Sequence, residues 1–507
     1  MRHTMHTMAF LMLGSMASAQ SIKHYTTTEK STWGETTERF SSKAEGTVVI
    51  SIDGSESGIP FVAWGTCFNE LDWDAFNLLN RSQQNEIMRN IFSPQGDLKF
   101  SRGRLSMNAN DYAREWYSCS EVSGDFDLKY FNIEHDKRNI IPLIKAAQAY
   151  ADHMEFFMSP WSPPAWMKIN QDYPVLSNKY NKQDPRKDYL LYATAADKAD
   201  NKAVDPDEMK LLGERNGVYP RRLATQDYFI QEPRYLQAYA NMFVRFIDLY
   251  KEQGIDITTV CYQNEAYSYT PYPGCAWTAE GTIRFNRDYL APALRRTHPE
   301  VRLWLGTFNT NRQDYIEKML NDTELRSQLH GVATQWECRE CLPSLRSKYP
   351  DIGHWMCSES ECGNGSMDWK AGEHTFFLLS DNLGNGVDEY YIWNFLLQGN
   401  GTSTWGWSQN ALVQVIPASA QAPATFRYTP EYYAVKHFSQ FIGKDDQMVG
   451  YAGRNYSDTP VVAYKTAKGY AVTAGNFTDA ATTLTVKIGK KYLNLRLQPH
   501  SFNTFII

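Results

Sequence analysis

The sequence lacks a long apolar segment, and it lacks a block of basic residues. A helix that spans a bilayer needs about 20 consecutive apolar residues, and none of the 507 residues lie in such a stretch. The 51 Lys and Arg residues are balanced by 57 Asp and Glu residues, which gives a net charge of -6. We therefore expect neither a membrane span nor a surface for nucleic acid.

Cysteine is also scarce, with eight residues at positions 67, 119, 261, 275, 338, 341, 357 and 362. Cys338 and Cys341, followed by Cys357 and Cys362, have a superficial similarity to a zinc ribbon. Because Cys357 lies in a segment that also carries candidate catalytic carboxylates, a zinc protein is the least favoured alternative. We expect disulfides or buried free thiols, with the pairing left open, and no metal or other cofactor.

The first residues have the pattern of a targeting signal. Arg2 precedes the short apolar run Met8–Leu13, and Ala17-Ser18-Ala19 has the small residues of a cleavage site. This pattern predicts a secretory signal peptide over residues 1–19, cut after Ala19. We therefore expect an exported protein, located in the periplasm, at the cell surface or in the medium.

The middle of the chain alternates strand and helix patterns. Apolar residues at helical spacing predict a helix over 235–253, and the β-branched segment Ile257–Tyr262 predicts a buried strand after it. Such βαβ units imply a parallel sheet. We predict a (β/α)8 TIM barrel over residues 56–440, with the polar, aperiodic residues 170–225 as an insertion on its active-site face.

The two ends of the mature chain have a different pattern. Residues 20–45 are polar and are predicted to be a flexible lead-in, followed by a strand at Thr47–Ile52. After residue 445, short alternating segments predict strands at Val461–Lys465, Tyr470–Ala474, Thr482–Ile488, Tyr492–Leu497 and Phe502–Ile507. We predict a small antiparallel β-sandwich domain over 441–507, completed by the strand within residues 20–55.

Three polar or aromatic clusters follow predicted strands, at Ser159–Trp166, Gln263–Glu265 and Ser358–Glu361. Catalytic groups of a TIM barrel lie at the carboxyl ends of its strands. The chain is also rich in aromatic residues, with 14 Trp, 31 Tyr and 25 Phe. Such rings stack on sugars, although ordinary packing explains a high aromatic content equally well.

Two carboxyl groups are needed to hydrolyse a glycosidic bond. Glu265 is the candidate general acid/base, because the Asn264 beside it can bind the 2-hydroxyl of a sugar. Glu359 and Glu361 are both candidates for the nucleophile, since alternate residues of a strand point to the same face and spacing does not choose between them. The simpler alternative for each is a carboxylate on a surface loop.

The motifs of the chain resemble, in order, those of glycoside hydrolase family 30, the glucosylceramidase-like group of retaining β-glycosidases. The matching segments are Gly65–Glu70, Arg104–Met107 with Asp111, Ser159–Lys168, Gln263–Glu265, Ser358-Glu359 with Cys362, Trp393-Asn394, His437–Ile442 and Pro499–Phe502. In this family the Glu directly after Ser is the nucleophile. The resemblance therefore implies Glu359 as nucleophile and Glu265 as acid/base.

The same resemblance implies a set of substrate-binding residues. Asp111, Trp161, Asn264 and Trp393 would hold the sugar in the –1 subsite, and Arg104 would favour the ionised nucleophile. For the two Trp residues the alternative is packing at the top of the barrel, and for Arg104 it is a structural ion pair.

The chain departs from the glucosylceramide-cleaving members at Gln335, which lies at their His-Trp pair and is a further candidate for substrate binding. Together with the insertion at 170–225, this departure favours a carbohydrate substrate over a lipid. We expect hydrolysis of a β-linked glucan or related glycan, including a β-1,6-linked glucan. The alternatives are a β-xylanase or xylosidase, a β-fucosidase or galactosidase, a glucosylceramidase, and a non-catalytic carbohydrate-binding protein.

Overall fold

The computed structural model describes residues 21–55, 58–177, 180–181, 183, 227–267, 270–360 and 362–507. Within these residues the strands are β1 (Ile22–Thr28), β2 (Ser31–Glu38), β3 (Thr47–Ile52), β4 (Ile59–Pro60), β5 (Ala63–Cys67), β6 (Arg102–Met107), β7 (Glu155–Pro160), β8 (Asp256–Cys261), β9 (Arg302–Phe308), β10 (Gly331–Gln335), β11 (His354–Glu359), β12 (Glu389–Ile392), β13 (Leu396–Gln398), β14 (Val413–Ile416), β15 (Thr425–Tyr428), β16 (Gln447–Tyr451), β17 (Val461–Thr466), β18 (Gly469–Asn476), β19 (Thr482–Ile488), β20 (Lys491–Leu497) and β21 (Ser501–Ile506).

The α-helices of the same residues are α1 (Glu70–Asn77), α2 (Arg81–Phe92), α3 (Ile140–Gln148), α4 (Pro233–Glu252), α5 (Ala279–Phe285), α6 (Ala291–Thr297), α7 (Gln313–Leu320), α8 (Thr323–Arg326), α9 (Leu342–Lys348), α10 (Trp369–Gly384) and α11 (Pro430–Ser439). A π-helical turn joins α5 to α6, and short 3-10 helices lie at Asp136–Arg138, Ala165–Met167, Trp336–Cys341 and Arg454–Tyr456.

The strands β5 to β12 close into a barrel whose circular order is β10-β11-β12-β5-β6-β7-β8-β9. Neighbouring strands are parallel throughout the barrel. Every residue of β5, β10 and β12 is buried, as expected for strands covered on both faces. The predicted TIM barrel is therefore confirmed, and the carboxyl ends of its strands meet at one face.

The clearest predicted unit of the barrel is formed by α4 and β8. Pro233 occupies the first turn of α4, where its missing N–H is not needed. Gly254 follows the helix with a φ of 69°, a conformation that glycine adopts without strain. The strand that follows begins one residue before its predicted start, at Asp256.

A β-sandwich packs beside the barrel. One sheet has the order β2-β1-β21-β18-β17-β16-β4, and the other has the order β20-β19-β3. Apolar side chains from both sheets form a separate core that includes Ile22, Ile50, Val472, Val486 and Leu495. The predicted antiparallel domain is confirmed, and the strand β3 completes it by pairing in parallel with β19.

The prediction of a flexible lead-in over residues 20–45 is wrong. Most of this segment forms β1 and β2, and β1 pairs with β21 at the other end of the chain. Ile22 is fully buried in the sandwich core. The polar composition suggested disorder. The partner strand lies more than 470 residues away, and no local pattern reveals such a pairing.

The sandwich and the barrel are joined through helices of the barrel. His437 of α11 is buried between Thr504 and Thr27, at 2.9 Å from each hydroxyl oxygen. Asp381 of α10 accepts hydrogen bonds from Arg339, Tyr451 and Arg454. These contacts link the first and last strands of the chain to the helices that surround the barrel.

Three predicted features lie outside the described residues: the signal peptide at 1–19, most of the insertion at 170–225, and Glu361. All eight cysteines lie in described segments, where they are buried. In the part of the chain that the structure describes, no helix combines the length and apolar character needed to cross a membrane. The same residues contain no group of three His, Cys, Asp or Glu side chains suited to a metal ion.

Candidate active site

A cavity of about 290 Å³ opens at the carboxyl ends of the barrel strands. Five of the eight predicted site residues line it: Asp111, Trp161, Asn264, Glu265 and Glu359. The other three, Arg104, Gln335 and Trp393, lie directly behind these residues and contact them. The structure therefore gathers all eight around one cavity, although they are separated by up to 289 positions in the sequence.

Glu359 is the last residue of β11 and is 5% exposed. Arg104 of β6 donates a hydrogen bond from Nη1 to its Oε2 at 2.9 Å, and the guanidinium is itself fully buried. Burial raises the pKa of the Glu359 carboxyl, and the Arg104 charge acts in the opposite direction. The ionised form of Glu359 is thus stabilised by one buried cation.

Glu265 lies four residues beyond the end of β8, with a left-handed backbone at a φ of 49°. Its carboxyl oxygens accept hydrogen bonds from neutral donors, Gln335 Nε2 at 2.9 Å and the Tyr272 hydroxyl at 2.9 Å. A non-glycine residue at positive φ is strained and persists where the surrounding structure holds it. Here the strain turns the carboxyl into the cavity.

Two hydrogen-bonded links connect the surroundings of Glu265 to those of Glu359. Arg104 Nη2 donates to Asn264 Oδ1 at 2.7 Å while its Nη1 binds Glu359. Gln335 receives a hydrogen bond from Ser358, the neighbour of Glu359, at 3.0 Å. The two carboxyl groups are thus held against one cavity by a shared network, one beside a cation and one beside neutral donors.

Asp111 is a third buried carboxyl of the cavity, 6% exposed. Its Oδ1 has no hydrogen-bond partner among the described residues. Burial, with a smaller contribution from the Glu265 charge, raises the pKa of Asp111 to about 7. A buried acceptor without a hydrogen bond is costly, and a hydroxyl group can donate to it.

Two stacked indole rings form the wall beside Arg104. The ring centroids of Trp161 and Trp393 are 5.1 Å apart, and the Arg104 guanidinium lies 4.5 Å from the centroid of Trp161. Trp393 donates from Nε1 to Gln409 Oε1 at 2.9 Å, and Gln409 lines the cavity. Trp161 therefore presents a rigid aromatic surface to the cavity, with Trp393 as its support.

The side chain of Gln335 lies behind the cavity wall. Sequence analysis placed it among substrate-binding residues, but the side chain lies between Glu265 and Ser358 and is absent from the cavity wall. Its contacts make it a positioning residue for Glu265. The amide is held from both ends, so its orientation is fixed by its neighbours.

Sequence analysis missed several lining residues that come from loops. These are Tyr272, Asn309, Trp336, Glu337, Gly363, Asn364, Trp407, Ser408 and Gln409. The loop that carries the last three, residues 399–412, contains three glycines and two tryptophans, yet it matches no catalytic motif. The position of Trp336 directly after Gln335 was the one available signal.

The geometry above is that of a carbohydrate-active TIM barrel, and the chain belongs to glycosyl hydrolase family 30. The model of the Glycosyl hydrolase family 30 TIM-barrel domain matches residues 63–189 and 228–442. The unmatched residues between these segments, 190–227, fall within the predicted insertion except for the last two. The protein is therefore a glycoside hydrolase, and its substrate is a carbohydrate.

Curated relatives cover most of the chain. The lysosomal acid glucosylceramidase of Mus musculus is 26% identical over 424 residues, which cover 79% of this chain and 72% of the relative. An endo-1,6-beta-D-glucanase of Trichoderma harzianum is 22% identical over 404 residues, which cover 78% of this chain and 72% of the relative. The chain is thus similar to members with different named substrates.

Solved structures share the fold over nearly the whole chain. SrfJ from Salmonella typhimurium aligns with a TM-score of 0.78 at 18% identity, covering 96% of this chain and 99% of that structure. An endo-beta1,6-glucanase aligns with a TM-score of 0.73 at 18% identity, with the same coverage of both chains. At this identity the likeness shows a common fold of barrel and sandwich.

Proposed function

We propose that this protein is an exported, retaining β-glycosidase that hydrolyses a β-linked glucan, with β-1,6-linked glucan as the substrate. The observation that carries the proposal is the contrast between two buried carboxyls of one cavity. Glu359 is paired with a buried guanidinium, which favours the anion that a nucleophile must be. Glu265 contacts neutral donors, which suits a group that gives up and regains a proton.

In the first step of the proposed mechanism, a Glu359 oxygen attacks the anomeric carbon of the sugar. The bond from that carbon to the leaving oxygen breaks, and Glu265 transfers its proton to the leaving oxygen. The products are a glycosyl ester on Glu359 and a free alcohol. In the second step Glu265 removes a proton from water, which attacks the same carbon and releases Glu359.

The remaining cavity residues hold the sugar during both steps. Asp111 offers an acceptor oxygen to the sugar hydroxyls, and Trp161 offers an apolar ring to the face of the sugar. The Oδ1 of Asn264 is already engaged by Arg104 and Thr307, so its amide nitrogen is the group available to the 2-hydroxyl. The hydrogen bond between the amide and the 2-hydroxyl becomes stronger in the transition state.

The choice of a β-1,6-linked glucan is supported by the relatives and by the cavity. A curated relative and a structural neighbour are both named endo-1,6-glucanases. Polar side chains, including Asn309, Asn364 and Ser408, lie among the rings of the cavity wall. A hydrocarbon tail placed there would remove these polar groups from water without replacing their hydrogen bonds.

The direct test is hydrolysis of aryl β-glucosides and β-1,6-glucan by the mature protein, followed by proton NMR of the first anomer released. We expect a β-anomer, which shows retention. Glu359→Gln is expected to lose about 10³-fold or more in kcat, as expected when a nucleophile that acts with its partner is removed. Glu361→Gln and Glu337→Gln are the matched carboxylate controls, and both are expected to retain the reaction.

Chemical rescue separates the two catalytic roles. With azide, Glu359→Gly is expected to release an α-glycosyl azide, because azide takes the place of the missing nucleophile. Glu265→Gly is expected to release a β-glycosyl azide from the covalent intermediate. If Glu361→Gln loses the reaction and Glu359→Gln retains it, the assignment of the nucleophile fails. If the first product is the α-anomer of the sugar, the retaining mechanism fails.

Export rests on the pattern of the first 19 residues. Expression of the full chain in a bacterial host with a secretory pathway is expected to yield a processed protein outside the cytoplasm. Its N-terminal sequence is expected to begin at Gln20. Recovery of the unprocessed chain from the cytoplasm alone would contradict the proposed localisation.

A further inference from the structure

The cavity has a second aromatic wall that the catalytic scheme above does not use. Trp336 and Trp407 both line the cavity, and both are half-buried. Trp161 and Trp393, by contrast, are buried against Arg104 on the side of Glu359. Among the described residues, three indole rings therefore line the cavity, and Trp336 and Trp407 have no role in the catalytic scheme.

The second wall is connected to Glu265. Tyr272 donates its hydroxyl to Glu265 Oε2, and the ring of Trp407 packs against Tyr272 with centroids 5.2 Å apart. Trp336 directly follows Gln335, whose amide donates to Glu265 Oε1. Trp407 thus lies on the side of the acid/base, and Trp336 is joined through the backbone to a residue that contacts the acid/base.

Trp336 is held in a costly conformation. Its backbone has a φ of 52°, and its Nε1 has no hydrogen-bond partner among the described residues. A bulky residue at positive φ persists where the surrounding structure compensates for the strain, and such residues cluster at functional sites. The residue is half-buried and lines the cavity, whereas its Nε1 is itself buried.

Trp407 is held by a tightly bonded loop between β13 and β14. The Ser403 amide donates to the Trp407 carbonyl at 2.8 Å, and the hydroxyls of Thr402 and Ser408 are 2.8 Å apart. The preceding Trp405 is buried against Trp116, with ring centroids 4.9 Å apart. Trp405 therefore anchors the loop, and Trp407 lies at the cavity.

From this arrangement we propose that Trp336 and Trp407 form the binding site for the leaving-group sugar, the +1 subsite. The inference rests on the proposed function, because an acid/base protonates the leaving oxygen and so must lie beside the leaving group. The rings next to Glu265 therefore flank the sugar that departs. Polar side chains that line the same cavity, Asn309 and Ser408 among them, suit a sugar rather than an alkyl chain.

The experiment compares two substrates that differ only in their leaving groups. A β-1,6-linked glucose disaccharide has a sugar in the +1 subsite, whereas β-glucosyl fluoride has a single atom there. We expect Trp407→Ala and Trp336→Ala to lower kcat/KM for the disaccharide by about 10- to 100-fold. For the fluoride, kcat/KM of each variant is expected to stay within about twofold of the wild-type value. Its leaving group is a single atom that makes no stacking contact with an indole ring.

Two controls accompany the variants. Trp407→Phe and Trp336→Phe retain an aromatic ring and are expected to keep most of the disaccharide activity. Trp33→Ala removes a half-buried tryptophan of the sandwich, where Trp33 packs on His437, and is expected to affect both substrates equally. Unchanged hydrolysis of the fluoride also shows that each variant is folded.

Three outcomes overturn the proposal. In the first, the Ala variants lose the same factor on both substrates. In the second, they leave the disaccharide unaffected. In the third, they lose more on octyl β-glucoside than on the disaccharide, which would place an alkyl chain on these rings. If the wild type hydrolyses the fluoride and Glu359→Gln does not, the proposed function stands in all three cases; hydrolysis of no glucoside by the wild type overturns both.

Discussion

Arg104 supplies the positive charge on which the ionisation of Glu359 depends. Burial and the charges of Glu265 and Asp111 all raise the pKa of Glu359, and Arg104 lowers it. Because the proposed mechanism needs Glu359 as an anion, activity is expected to be lost as the pH falls through its pKa. Removing the guanidinium raises that pKa, so the activity has to disappear at a higher pH.

We therefore predict that Arg104→Met shifts the acid limb of the kcat/KM profile upward by about one pH unit or more. Arg104→Lys, which keeps a positive charge, is expected to shift the limb less. The measurement is a pH profile of kcat/KM with β-glucosyl fluoride. Because fluoride leaves with little help from a general acid, the profile reports the ionisation of Glu359. Identical acid limbs in the wild type and the Met variant would show that Arg104 does not control Glu359.

Asp111 illustrates a conflict between binding and stability. Its pKa is raised from 3.8 to about 7 in the folded protein, so the folded state holds the proton more tightly than the unfolded chain. The free energy of unfolding therefore falls as the pH rises from about 4 to 7, and it stays lower above pH 7. The ionised form, which the proposed function needs as an acceptor for sugar hydroxyls, is the form that destabilises the folded protein.

Asp111→Asn is expected to stabilise the protein at pH 8 by up to about 4 kcal/mol and to have little effect at pH 4. The same substitution is expected to lower kcat/KM by at least about tenfold, since a charged acceptor is lost. Thermal unfolding at the two pH values measures the first effect. The exposed Asp458→Asn is the matched control, and an equal change at both pH values would contradict the linkage.

Residues at the ends of barrel strands could be located from the sequence, and residues on loops could not. Glu265, Glu359 and Trp161 follow strand patterns, and the topology of a barrel brings strand ends together. Tyr272 and Trp407 belong to loops whose paths depend on tertiary contacts with other loops. No spacing rule in the sequence relates their rings to the cavity.

Among the elements, the first strand could not be predicted from its own sequence. β1 contains only one large aliphatic residue, Ile22, and the sequence around it is polar. Its place in the sandwich is determined by pairing with β21 and by burial of Ile22 among residues from both sheets. By contrast, the strand at Thr482–Ile488 alternates clearly and was predicted with its observed bounds.

If β1 is an integral strand, Ile22→Ala is expected to lower the free energy of unfolding by about 3 kcal/mol, the usual cost of truncating a fully buried aliphatic side chain. Ile416→Ala is the matched control, since Ile416 is 44% exposed on another sheet. Urea denaturation of the two variants gives the comparison. Equal, small effects would mean that residues 22–28 contribute little to the core.

At the scale of the whole molecule, Asp381 connects the barrel to the sandwich. Its side chain is fully buried, and it pairs with Arg339 beside the barrel and with Arg454 beside β16. A buried anion that neutralises two cations is difficult to replace, because its removal leaves charge without compensation. The two domains should therefore lose stability together when Asp381 is changed.

Asp381→Asn is expected to lower the free energy of unfolding by about 3 kcal/mol. Arg454→Met is expected to cost less, because the Arg454 side chain is 42% exposed and partly screened by water. Calorimetry of both variants, with Asp458→Asn as the exposed control, measures the difference. A larger loss for Arg454→Met than for Asp381→Asn would contradict this account of the contact.

The pairing of β1 with β21 has a consequence for the timing of synthesis. His24 and Asn503, which are hydrogen-bonded across these strands, are 479 residues apart. At ordinary rates of translation, roughly half a minute to a minute and a half passes between the two. During that interval β1 can pair with β2 alone, and its other edge is open to pairing with other chains. The ribosome must finish the chain before β1 can pair with β21. The supply of chaperones that shield nascent strands should therefore determine the yield of this protein.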